Sequence, residues 1–179
     1  MKSPWCGALA AILSLAATAP ALAQAGTAPA PAPAQVPGPD LAGAVAMLQL
    51  YNPTSKPTPN NLNAYLRVAT TGTRGQTVYI TANSYGFAAA PVREVFAFVE
   101  HVTGPLDPAL MQRLITANDG QMPTGCWAVS TAADGSHYIL YESYIPNNAS
   151  AELVQNEVTY VGKTADALEA ELTGGQDVQ

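Results

Sequence analysis

The chain predicts an α+β fold in which an antiparallel sheet is covered by helices in two layers, in the order α-β-β-β-α-β-β-α. Three observations carry that expectation. Val154, Val158, Val161, Ala165, Leu168 and Leu172 recur at steps of four and three, which draws one apolar seam along a long terminal helix. Asp134-Gly135 sits between two runs rich in strand-forming residues, the pattern of a β-hairpin. Between residues 64 and 102, alternating runs are separated by Gly- and Pro-containing breaks, as strands are.

The 179 residues divide by composition. Residues 1–23 carry one charge, Lys2, then an apolar run and Ala-Leu-Ala at 21–23, the layout of a signal peptide cleaved after Ala23 or Ala25. An uncleaved anchor is the other reading of the run, but Pro20 interrupts it early and a span needs about 20 apolar residues. Residues 24–39 alternate Ala and Pro, which favours an extended tether. The expected domain covers 40–174, with 175–179 as a tail. A periplasmic or secreted location follows from the signal.

The first helix is expected over "DLAGAVAMLQLYN", with Asp40 as its cap and Leu41, Val45 and Leu48 on one face. "PTSKPTPNN" then excludes regular structure, because three prolines remove donors. "AYLRVAT" (64–70) and "QTVYITAN" (76–83) read as strands joined by "TGTRG". Residues 92–102 fit a strand or a helix. Their valine and phenylalanine content favours the strand, with Val92, Phe96 and Phe98 alternating with Val95, Ala97 and Val99. Asp107 and Pro108 open a second helix whose stripe is Leu110, Leu114 and Ala117, flanked by Met111 and Ile115, and Gly120 stops it. A two-residue turn at Asp134-Gly135 would set Trp127 opposite Glu142, Ala128 opposite Tyr141 and Cys126 opposite Ser143. Ser150 caps the last helix, with Glu152 in its first turn.

Charge narrows the function. The net charge of −6 becomes −7 once Lys2 is removed, and the remaining six Lys and Arg are scattered from Lys56 to Lys163. Nucleic acid and anionic membrane surfaces both need clustered cations, so neither is an expected partner. Once the signal is cleaved, no stable membrane insertion is expected. Removal of Cys6 with the signal leaves Cys126 alone, so no intrachain disulfide can form.

Cys126 beside Trp127 raises the question of a nucleophile. A thiolate needs an imidazole within hydrogen-bond reach, and only His101 and His137 exist. A strand cysteine more commonly packs as a small apolar group, and that is the expectation here. Two separated histidines and no cysteine pair give no metal site, and neither a phosphate loop nor a Gly-x-Ser-x-Gly elbow is present. No cofactor is expected. Trp127, Tyr138, Tyr141 and Tyr144 are the candidate partner surface, since aromatics with polar tips suit half-buried interfaces. Ordinary strand packing is the alternative for them.

Residues 106–172 resemble the type III secretion chaperone-like superfamily, which includes the YbjN family. A helix ends in an Asn-containing turn, "TAND" at 116–119. A small-residue strand, a DG turn, a strand ending at Pro146 and a long helix carrying "TADAL" at 164–168 follow. Residues 64–102 match by element order. The resemblance implies a non-enzymatic homodimer that binds extended polypeptide, with Met111 and Ile115 as candidate dimer contacts. The export signal points to the YbjN-like branch, because secretion chaperones are cytosolic. A small-ligand sensor or carrier, and an enzyme using Cys126 or Glu142, are the alternative functions.

Overall fold

A computed structural model describes residues 39–87, 90–120 and 122–177, the side chain of Phe87 excepted. The expected signal peptide and all of the tether but Pro39 lie outside the described residues. The domain is α+β. Seven antiparallel strands form one sheet in the order β1-β2-β3-β5-β7-β6, with β4 pairing β5. The strands are β1 (Lys56–Pro57), β2 (Asn63–Ala69), β3 (Gly75–Thr81), β4 (Tyr85–Phe87), β5 (Ala90–Val102), β6 (Cys126–Thr131) and β7 (His137–Pro146). The helices are α1 (Leu41–Gln49), α2 (Pro108–Asn118) and α3 (Ala151–Leu172).

Five strands and three helices stand where the sequence predicts them, including 92–102 as strand. Two short strands were not expected. β1 forms inside the proline-rich stretch because it lies on an edge, where Pro57 costs no ladder bond. β4 is a three-residue return against the start of β5.

The three helices lie on one face of the sheet. α3 crosses β3, β5 and β7, α1 covers β2 and β3, and α2 covers β6. Val154, Val158, Val161 and Ala165 are fully buried and Leu168 nearly so, while Leu172, at the end of the predicted seam, is 37% exposed. Burying each large apolar side chain contributes roughly 1.5–3 kcal/mol. Gly162 lets α3 approach closely, since a Cβ there would lie 3.2 Å from Val68 and Val78. On α1 the buried residues are Ala44, Met47 and Leu48, so the predicted face through Leu41 and Val45 is its half-buried flank.

Capping follows the sequence. Asp40, Asp107 and Ser150 each accept from a backbone N–H in the first turn of α1, α2 and α3. Arg93 is buried under α1, where it bonds the Asp40 carboxylate at 2.8 Å and the carbonyls of Thr81 and Ala82. Arg74, in the β2–β3 turn, binds Asp166 and Glu169 of α3 and the carbonyl of Gly175. Asp177 pairs with Arg67, so the first residues past 174 are held against the sheet.

The β6–β7 hairpin corrects the predicted register. Ala132 and Ser136 close a three-residue loop with Gly135 at φ +83°, one residue longer than the two-residue turn. Cys126 therefore opposes Glu142, Trp127 opposes Tyr141 and Ala128 opposes Leu140. Strand side chains alternate faces, so a slip of one residue exchanges the cross-strand partners of both faces.

Candidate functional site

Among the described residues no helix covers the second face of the sheet. Alternation assigns it Tyr65, Tyr79, Phe96, Phe98, Tyr138, Leu140, Glu142, Tyr144, Cys126 and Ala128, among others. Six rings cross it as a continuous ladder. Tyr65 meets Tyr79 at 6.2 Å, and Tyr79 stacks on Phe96 at 5.1 Å. Phe96 meets Phe98 edge-on at 5.3 Å, and Phe98 lies 5.3 Å from Tyr138. Tyr138 stacks on His101 at 4.5 Å. Such pairs stabilise by about 0.5–1.5 kcal/mol beyond their burial. Cross-strand packing thus lets Phe96 be only 7% exposed on a face that none of the described helices covers.

Beside the ladder lies a polar cluster. Glu94 on β5 opposes Tyr144, and Glu142 on β7 opposes Phe96, so the two carboxyl groups sit diagonally across the β5–β7 pair, close enough for each to act on the other's ionisation. Tyr85 donates to Glu94 Oε2 at 3.5 Å. Tyr144 lies beside the pair, and the Cys126 thiol approaches Glu142 Oε1 at 3.9 Å. Burial, then the charge of Glu142, push the Glu94 carboxyl up to about 7. Burial also raises Glu142, against the lowering effect of hydrogen bonds from Glu94, Tyr144 and Cys126. Near neutral pH the pair therefore holds a proton in common. Burial and the neighbouring carboxylates raise the phenols of Tyr144 and Tyr85. Glu94, Glu142, Phe96, Phe98, Leu140 and Ala128 border an open depression of about 350 Å³.

The sequence-predicted aromatic surface divides between the two faces. Tyr138 and Tyr144 lie on the open face, as alternation requires of residues six apart. Trp127 and Tyr141 turn to the helices and are corrected to core residues, 9% and 0% exposed. The Tyr141 hydroxyl donates to the Thr124 carbonyl, and burial raises its pKa. Trp127 meets the Tyr141 ring edge-on at 4.9 Å. On α2, Met111 packs half-buried against its own core, whereas Ile115 is 59% exposed. Tyr65, Tyr79, Phe96, Phe98, Tyr85 and Glu94 were absent from the predicted site. The even-numbered alternation of 92–98 was a signal for three of them, but their meeting with Tyr79 and Glu142 depends on strand order.

Cys126 is half-buried on the open face, not in the helix-covered core. His101 stacks at the level of Tyr138 and Ser130, four positions or about 13 Å along the strand from Cys126. His137 bonds Thr131. The thiol meets the Glu142 carboxyl, not an imidazole. Among the described residues no group of three or more His, Cys, Asp or Glu gathers to hold a metal ion. Nor is any described helix long and apolar enough to cross a membrane.

Both sheet edges are blunted. β1 has two residues, one a proline. On β6 the Asn118 side chain accepts from Trp127 N–H at 2.7 Å and donates to its carbonyl at 2.9 Å, taking the place of a neighbouring strand. A scan against protein-family models finds no match to this chain, and a search of curated proteins finds none either.

Proposed function

We propose that the chain is an exported, periplasmic or secreted, non-enzymatic binding protein of the YbjN or secretion chaperone-like type, which engages a polypeptide on the open face of its sheet. The observation that carries this is the six-ring ladder on a face that none of the described helices covers. Tyrosines and phenylalanines supply large contact area with few rotatable bonds, so ordering them on binding costs little entropy. The blunted edges oppose strand addition and favour the face.

Two copies would pair through α2, where Ile115 is exposed and Met111 lies beside it. Ile115→Asp then converts a dimer into a folded monomer by sedimentation. A wild-type monomer at every concentration removes this part of the proposal and leaves the face intact.

Photo-crosslinking tests the face. A benzoylphenylalanine introduced at Tyr79 should yield a discrete polypeptide adduct in cells, and one introduced at Thr116 on α2 should not give the same adduct. Identical adducts from both positions, or none from Tyr79, would reject the proposal.

A further inference from the structure

Resting on that reading of the open face, we infer that the Glu94–Glu142 pair is the recognition point for a basic side chain, lysine or arginine, of the bound polypeptide. Charge complementarity is the first ground. All four arginines of the chain are engaged with other carboxylates: Arg67 with Asp177, Arg74 with Asp166 and Glu169, Arg93 with Asp40, and Arg113 with Glu171. None of them neutralises Glu94 or Glu142. Among the described residues, the titratable groups beside the pair are Tyr85 from β4, Tyr144 from β7 and Cys126 from β6, all without positive charge.

Shape is the second ground. The depression beside the pair is walled by Phe96, Phe98 and Leu140. An aliphatic stem or a guanidinium plane packs on such walls while its charged end reaches the carboxyls. The site gathers two carboxyls with phenol and thiol groups, a donor set poor for a divalent metal, which takes more oxygen ligands. An incoming ammonium or guanidinium would displace the shared proton, form charge-assisted hydrogen bonds and relieve the repulsion between the carboxylates.

The test uses the exported chain and two capped peptides, Ac-Ser-Leu-Lys-Leu-Ser-NH2 and its glutamine counterpart, titrated by calorimetry and amide-resolved NMR. Salt is held at about 0.15 M so that distant surface charge is screened. The lysine peptide should bind about tenfold more tightly, with the largest shifts at Glu94, Phe96, Leu140 and Glu142. Its binding enthalpy should change with the ionisation enthalpy of the buffer, because a proton is released. In the Glu94→Gln/Glu142→Gln double variant the ratio should fall to about one.

Equal binding of both peptides at the open face would overturn the inference and leave the polypeptide-binding face standing. A lysine preference that survives in the double variant would overturn it too, placing the attraction elsewhere on this acidic chain. Binding of neither peptide at the open face would reject the inference and the face together.

Discussion

The two faces of the sheet treat buried acid in opposite ways. On the helix-covered face, Glu169 is fully buried and Asp166 nearly so, and both are met by Arg74. Glu157, on the same helix, accepts from the hydroxyls of Thr124 and Ser143 at 2.5 Å each. On the open face the described neighbours of Glu94 and Glu142 are each other, two phenols and a thiol. The first arrangement is complete without a partner, because a buried charge with a bidentate or hydroxyl partner has its lone pairs satisfied. The second keeps an ionisation cost that only protonation or an incoming cation removes. Acid on this protein is therefore structural where helices cover it and poised where they do not.

The largest effect should come from breaking the covered face. Val158→Asp places an unpaired carboxylate at a fully buried position under α3 and should cost more than about 4 kcal/mol, enough to abolish the cooperative unfolding transition seen by circular dichroism. Next is Arg74→Met, which leaves Asp166 and Glu169 without their cation. Denaturant unfolding should show a loss of about 3–5 kcal/mol near neutral pH. A loss under about 1 kcal/mol would mean that the two faces do not differ in this respect.

The open face should respond with the opposite sign. The folded-state pKa of Glu94, about 7, lies above its ordinary value of 4.5. Between those two values the folded chain holds a proton that the unfolded chain releases, so stability falls as pH rises through this window, and the cost is fully present above it. Denaturant titrations should show a decline of about 2 kcal/mol across the window. Glu94→Gln should flatten the decline and stabilise the protein above neutrality by about 1–2 kcal/mol. A destabilised variant with an unchanged pH slope would sink the account of the pair.

The smallest effect belongs to Cys126. Its half-buried position beside Glu142 gives a hydroxyl a ready acceptor, so Cys126→Ser should change stability by under about 1 kcal/mol in thermal unfolding. A packed position where the hydroxyl found no partner would have made that substitution cost roughly 1–3 kcal/mol. Native thiol labelling should be slow near neutral pH, because the sulfur is half-buried against Glu142. Rapid labelling would return Cys126 to consideration as a nucleophile.

The sequence by itself determined eight of the ten elements, all but the short strands β1 and β4. Apolar spacing, caps at Asp40, Asp107 and Ser150, and alternation in 92–102 are local signals, and each is read within a few turns or strand positions. Only the tertiary structure decided which side chains share a surface. One extra loop residue at Ala133–Gly135 set Tyr141 against Trp127 beneath the helices and left Glu142 beside Cys126 on the open face. The sheet order then placed β5 between β3 and β7, bringing Tyr79 onto Phe96 and Glu94 to Glu142. Contacts of that kind join strands far apart in the chain. Their register rests on loop length and on which face the helices bury, so the local pattern in any one strand does not contain it.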